Sequence, residues 1–292
     1  MVKKHRLHIW LALALTLIAA AMAGCRPSQQ LSESKILRLA TTTSTENSGL
    51  LNAILPQFES VTGATVEVVA VGTGQALALG KAGDADVLLV HAPEQEREFV
   101  AAGHGTARYS VMYNDFIIVG PRDDPANIHR ISLATEAMKS IAFTKSPWAS
   151  RGDDSGTYIK EKALWLASGL EPYSSESWYH SLGQGMSATL NYANETDAYT
   201  LTDRGTYLTQ SEHLPFLTLM VGGESINKNT DPDLYNPYGV IPVHSKKNDR
   251  INHQLTLQFV DWLTSVETRE HIGTFGVEKF GQQLFYTHRQ SQ

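Results

Sequence analysis

Cysteine is almost absent: Cys25 is the single thiol in 292 residues. No disulfide can close within the chain, and beyond residue 25 there is no thiolate to ligate a metal or attack a substrate. The chain also lacks His-Glu-x-x-His and Gly-x-Ser-x-Gly, and its eleven histidines are scattered with no metal-ligand spacing. These absences argue against a metalloenzyme or serine hydrolase, so no enzymatic activity, resident metal or cofactor is expected. The body of the chain holds no internal repeat and no low-complexity tract. Its longest apolar run, Ile9 to Ala23, is too short and too poorly flanked for a membrane span. Basic charge is also scarce. Without Lys3, Lys4 and Arg6 the 24 basic side chains fall to 21 against 30 acidic ones, a net charge near -9 that speaks against nucleic acid as a partner.

What is present begins with an address. The basic start and apolar run read as a signal peptide over residues 1–24. They end in Met22-Ala23-Gly24-Cys25, which resembles the lipobox of bacterial lipoproteins. That likeness implies acylation of Cys25, a tether over residues 25–35 and a place in the periplasm or on the outer face of the cell membrane. The competing expectation is an ordinary secretory cut near Ala23 that leaves a free thiol. A charged fraction of 18% and an apolar fraction of 42% place the remainder among globular proteins.

Along that remainder, strand and helix patterns alternate. Ile36–Thr41 alternates as a half-buried strand does, and Leu50, Leu51, Ile54, Leu55 and Phe58 form an apolar stripe at helical spacing, with a kink or restart expected at Pro56. Thr65–Val71 is a β-branched strand, and Gln75–Lys81 a short helix. Asp86–Val90 reads as a strand covered on both faces, and Glu94–Ala102 as a helix. The run Val111–Gly120 is long enough to leave one lobe and enter another. There follow an expected strand over 140–144, helices over 155–168 and 186–194, strands over 198–202 and 217–221, and a return crossing over 236–243. Helices over 250–264 and 267–275 close the chain. The expectation is an α/β protein of two lobes joined by two crossing strands, with a ligand cleft between them. One lobe comprises 36–113 and 241–292, the other 114–240.

Two stretches carry hydroxyls where helices begin. Ser150-Arg151-Gly152-Asp153-Asp154-Ser155-Gly156-Thr157 precedes the 155–168 helix and combines hydroxyls, free backbone N–H groups and an arginine. A helix start of this kind favours an anion. Thr41-Thr42-Thr43-Ser44 forms a second such loop, and the two are read as closing on one small oxyanion from opposite sides. Plainer readings stand beside this one. Thr41–Thr45 is also a good helix cap, and Arg151 could simply pair with Asp153 or Asp154. Gly72-Thr73-Gly74 is more often a tight turn than a backbone contact. Thr202–Gly205 is expected to hold an Asp–Arg pair that fixes a hinge, and His91 to be a packed neighbour of Pro93.

The runs Leu39–Leu51, Val71–Ala76, Gly83–Pro93, Val111–Phe116, Ser150–Thr157, Gly183–Met186, Tyr199–Tyr207 and Asn236–Ile241 resemble the tungstate-binding proteins of bacterial tungstate ABC transporters. The resemblance covers residues 36–287. It implies a type II periplasmic binding protein fold, working as a monomer that delivers tungstate to a membrane permease and its ATPase. It maps the family's Thr-Thr-Thr-Ser motif onto Thr41–Ser44 and its Ser-Arg-Gly-Asp motif onto Ser150–Asp153. Direct contacts are then expected from Thr42, Thr43 and Ser44 on one side, and from Arg151, Ser155, Gly156 and Thr157 on the other. The alternative is another oxyanion, molybdate or phosphate. Phosphate keeps a proton near neutral pH and would call for an inward-facing carboxylate from Asp153 or Asp154.

Overall fold

The computed structural model describes residues 35–171, 176–247 and 249–287. The expected signal peptide, Cys25 and the tether up to Ser34 lie outside the described residues.

Strand β1 (Ile36–Thr42) runs into a short helix, α1 (Thr43–Asn47), and then α2 (Leu50–Thr62). The α2 stripe of Leu50, Leu51, Ile54, Leu55 and Phe58 is buried, as the spacing requires. The restart expected at Pro56 does not occur: α2 is one uninterrupted helix. Pro56 and Asn52 are both exposed, so the carbonyl that loses its amide partner is on the side open to water. Next come β2 (Thr65–Val71), α3 (Thr73–Ala82), β3 (Val87–Val90) and α4 (Pro93–Ala101). Strand β1 lies between β2 and β3, parallel to both, and β3 is wholly buried.

The long strand β4 (Tyr109–Pro121) changes partners midway. A second α/β set follows: α5 (Ala134–Thr144), β5 (Trp148–Ser150), α6 (Gly156–Ala167), β6 (Tyr179–Ser181), α7 (Met186–Glu195), β7 (Thr200–Asp203), α8 (Arg204–Gln210) and β8 (Leu217–Val221). Strand β9 (Tyr235–Pro242) returns, and α9 (His253–Leu263), α10 (Val266–Thr274) and α11 (Val277–Phe280) finish the chain. Residues Tyr109–Asp115 of β4 pair with β9, whereas Phe116–Pro121 pair with β7 and β8. β9 continues antiparallel to β3. Two α/β lobes are therefore joined by two crossing strands, each with its own apolar centre. One gathers Leu37, Leu51, Phe58, Val240 and Phe259. The other gathers Phe116, Met138, Trp148, Trp165 and Tyr199.

One expected strand is a helix. Residues 140–144 form the last turn of α5, and the strand comes later, at Trp148–Ser150. Isoleucine, phenylalanine and threonine suggested a strand, but burial follows a helical period. Ala134, Ala137, Met138 and Ile141 face the core while Phe143 is 89% exposed.

The crossing is fixed by a buried ion pair. Arg204 donates from Nε and Nη2 to the two carboxylate oxygens of Asp115, at 2.8 and 2.6 Å, and to the carbonyls of Gly222 and Gly223. Asn229 Nδ2 donates to the same carboxylate at 2.8 Å. Asp115 is the last residue of β4 paired with β9, and Phe116 the first paired with β7. The expected pairing of Arg204 with its neighbour Asp203 is not made. Asp203 caps α8 instead, accepting from Thr206 N and Thr206 Oγ1 at 2.8 and 2.6 Å. Successive residues at a helix start point about 100° apart, so one faces the cap while the other reaches across to β4.

Candidate functional site

The C-terminal ends of β1 and β3 face the loop after β5, where open α/β sheets place their ligands. Thr41 is not part of this opening: its hydroxyl donates to Leu89 O, 2.7 Å away inside the sheet. Thr42 caps α1, accepting from Thr45 N, and its Oγ1 lies 3.1 Å from Ser44 Oγ and 2.7 Å from Thr45 Oγ1. Thr43 is half-buried at the first position of α1. The cap reading and the cleft reading are therefore compatible at Thr42.

Behind these hydroxyls stands His91, 5% exposed, with Nε2 at 3.1 Å from Thr42 Oγ1 and 3.3 Å from Ser44 Oγ. Its Nδ1–H donates to Asn236 Oδ1 at 2.9 Å, Asn236 Nδ2 donates to Asn114 Oδ1 at 2.6 Å, and Asn114 Nδ2 donates to Tyr238 Oη at 3.4 Å. The Tyr238 ring stacks on the imidazole with centroids 4.7 Å apart. Burial holds the His91 pKa down to about 4, against a rise from the Asn236 hydrogen bond, and the nearby Arg151 charge lowers it further. A ring neutral in the fold but protonated in the unfolded chain contributes stability that is fully present above pH 6.5 and is lost as pH falls from 6.5 toward 4. The melting-temperature advantage of the wild type over a His91→Asn variant is expected to shrink across that window, as measured by thermal unfolding against pH.

From the other lobe comes the loop after β5. Ser150 faces away from the cleft, donating to the buried Glu161 carboxylate at 3.0 Å together with Trp148 Nε1 and Tyr179 Oη. Burial raises the Glu161 pKa to about 7, and the three donors oppose that rise. Gly152 takes φ +60, and a Cβ there would meet Ser181 Oγ at 2.0 Å, so the turn needs glycine. Arg151 is 3% exposed and donates from Nη2 to Asp153 Oδ2 at 2.6 Å. Asp153 Oδ1 accepts from Ser155 N and Ser155 Oγ, and Ser155 Oγ accepts from Tyr158 N as the cap of α6. Asp153 is thus committed to the loop and to Arg151, while Asp154 is exposed. Gly156 and Thr157 open α6 and are both buried.

The two sides touch. Gly74 N donates to Asp154 O at 3.5 Å, and a Cβ on Gly156 would lie 3.0 Å from His91 Cε1 and 3.1 Å from Thr73 Oγ1. At this junction two buried donors, Thr73 Oγ1 and Arg151 Nε, have no hydrogen-bond partner among the described residues. Other buried donors, such as Trp165 Nε1, Trp262 Nε1 and Arg269 Nε, also lack a partner among the described residues, so what singles out Thr73 and Arg151 is that both lie where the two sides meet.

The structure thus gathers Thr42, Ser44, Arg151, Ser155 and Gly156 around one junction. It adds His91, Asn114, Asn236 and Tyr238, which the sequence reading did not place there, and Thr73, whose loop it weighed only as a backbone contact and set below a tight turn. Two signals were available. His91 directly follows the buried strand β3, and Asn114 and Asn236 sit within strands, where asparagine is disfavoured without a partner.

Residues 28–267 match the PBP superfamily domain. The chain is 46% identical over 283 residues to the tungstate-binding protein TupA of Peptoclostridium acidaminophilum, covering 93% of this chain and 95% of that one. The structure of a tungstate ABC transporter protein from Geobacter sulfurreducens superposes with a TM-score of 0.74 at 44% identity, covering 82% of this chain and 98% of that one. The tungstate-binding protein TupA of Desulfovibrio alaskensis superposes with a TM-score of 0.74 at 42% identity, covering 87% and 99%.

Proposed function

The chain belongs to the PBP superfamily and, within it, to the family of the tungstate-binding proteins, and from that premise we propose that it captures tungstate outside the cytoplasm and hands it to the permease and ATPase of an ABC importer. One observation carries the reading: two donors, Thr73 Oγ1–H and Arg151 Nε–H, are buried without partners where the two sides meet. Tungstate at neutral pH is a tetrahedral dianion with no proton to give, so its site needs donors and no free carboxylate. The hydroxyls of Thr42, Thr43 and Ser44, the Arg151 guanidinium, and the first-turn N–H groups of Gly156 and Thr157 are the ligands assigned, with Thr73 added; Ser155, also expected as a contact, spends its N–H and hydroxyl on Asp153 and supports the loop instead. Hydrogen bonds to a charged group contribute about 1.5–3 kcal/mol each. Six or seven of them reach the roughly 12 kcal/mol of a nanomolar complex after ordering costs.

The carboxylates support this reading over phosphate. Asp153 is engaged by Arg151 and Ser155, Asp203 by Thr206, and Asp154 is exposed. Molybdate shares the size and charge of tungstate, so the deciding experiment is a calorimetric competition series with tungstate, molybdate, sulfate and phosphate. Tungstate is expected to bind tightest; a stronger response to phosphate would overturn the assignment. The same reading places one lobe on residues 36–113 and 241–292 and the other on 114–240, a division supported by the partner change at Asp115 and Phe116. It also includes a lipid anchor at Cys25 and a monomeric binding unit.

Gly156 supplies a further expectation. Gly156 is the first residue of α6, where the interior helix preference of alanine does not apply, and a methyl group there would press on His91 and Thr73. Gly156→Ala is therefore expected to lower the ligand-free melting temperature by a few degrees and tungstate affinity by about tenfold or more, measured by thermal unfolding and titration calorimetry.

A further inference from the structure

We propose that capture of the oxyanion changes the tautomer of the neutral His91 ring from Nδ1–H to Nε2–H, which frees the Thr42 and Ser44 hydroxyls to donate to the ligand. The inference rests on the tungstate reading and follows from counting protons. In the arrangement described above, Nδ1–H donates to Asn236 Oδ1, so Nε2 presents only a lone pair. The hydroxyls of Thr42 and Ser44 lie 3.1 and 3.3 Å from that lone pair, and one of them must donate to it. Each hydroxyl has one proton. A dianion without protons can only accept, and on the assignment above it takes both, leaving the Thr45 hydroxyl, 2.7 Å from Thr42 Oγ1, to donate to Thr42. Were both hydroxyls to turn to the ligand with the ring unchanged, the Nε2 lone pair would face two oxygen lone pairs with no proton between them. A proton on Nε2 removes the conflict.

The chain behind the ring is built to reverse. Asn236 and Asn114 are 1% and 0% exposed and are linked in series to the Tyr238 hydroxyl. Turning both amides over exchanges groups of nearly equal size: Asn236 Nδ2 then donates to His91 Nδ1, Asn114 Nδ2 to Asn236 Oδ1, and Tyr238 O–H to Asn114 Oδ1. Each of these donors keeps an acceptor; the Nδ1 proton is released to water, Nε2 takes one from water through the Thr42 and Ser44 hydroxyls, and the net uptake is zero. Stacking on Tyr238 and the tilted ring of Phe116, 6.4 Å away between centroids, hold the ring plane, so protons move and the ring does not.

Formation of an imidazolium is the competing route. Arg151 already bears on the buried ring and opposes a second positive charge, and the Asp153 and Asp203 carboxylates beside Arg151 are engaged by other donors. His91 is on this account a positioning residue. Its partners Asn114 and Asn236 lie on the crossing strands β4 and β9, so the hydrogen bonds that register ligand run directly into the connection between lobes.

The test uses protein labelled with ¹⁵N-histidine, with saturation by sodium tungstate verified calorimetrically on the same sample. A His91→Gln variant assigns the resonance. Long-range ¹H–¹⁵N correlation at pH 7.5 is expected to show Nδ1 passing from protonated to unprotonated, and Nε2 the reverse, on adding tungstate. Calorimetry in buffers of different ionisation enthalpy is expected to give no net proton uptake. Saturation with Nδ1 still singly protonated, or with both nitrogens protonated and one proton taken up, overturns the inference alone. Absence of any tungstate heat removes the tungstate reading and this inference with it.

Discussion

Replacing Arg151 with alanine is expected to weaken tungstate binding by roughly two to three orders of magnitude, because removing one partner of a buried charge interaction typically costs about 2–5 kcal/mol. The side chain is 3% exposed, and its Nε has no partner among the described residues, so much of its hydrogen-bonding capacity is reserved for something other than protein. The ligand-free melting temperature should barely move, since Asp153 retains Ser155 N and Oγ as donors. Arg151→Lys keeps the charge but loses the planar fork and is expected to fall between the two. Asp153→Asn, which loosens the only carboxylate bonded to Arg151 among the described residues, should cost about tenfold through misorientation. Titration calorimetry separates these outcomes. An Arg151→Ala protein that binds tungstate like the wild type would exclude Arg151 as a ligand.

Arg204→Ala is expected to give the largest loss of stability, about 3–5 kcal/mol, because it strands a buried carboxylate. Asp115 would keep Asn229 as a donor but lose both bonds to the guanidinium, and the carbonyls of Gly222 and Gly223 would lose theirs. For a chain of this size the melting temperature should fall on the order of 10 °C. A double variant, Asp115→Leu with Arg204→Met, should be more stable than the sum of its single variants, since no unpaired charge remains. Thermal unfolding of the four proteins closes the cycle. A single Arg204→Ala variant melting within about 2 °C of the wild type would mean that the crossing is held by other contacts.

Much of the architecture was legible because it depends on periodicity. The buried faces of α2 and α9, the four apolar residues of β3 and the β-branched run of β2 announce their own surroundings, and these elements appear within about three residues of expectation. The sequence reading failed where a short run satisfied two periods. Ser140–Thr144 suits a strand by residue type, and only the burial of Ala137, Met138 and Ile141 on one side makes it a helix. The helix starts at Thr42–Ser44 and Arg151–Thr157, which form the proposed site, could be picked out for a different reason. Hydroxyls, glycine and arginine at a helix start form a local signal, read within a few residues.

The second layer of the site had no such signal. Thr42 meets His91, His91 meets Asn236, and Asn236 meets Asn114, with separations of 49, 145 and 122 residues. Arg204 finds Asp115 across 89 residues, although Asp203 lies beside it in the chain. Local sequence by itself determined most of the strands and helices and the two hydroxyl-bearing helix starts, because backbone propensity and side-chain period act over one or two turns. Tertiary structure alone decided which donors are left unpaired, which carboxylates are turned away and where the ring of His91 points. Those outcomes depend on the company a side chain keeps when the lobes meet, and crossing strands bring together residues that no short stretch of sequence contains.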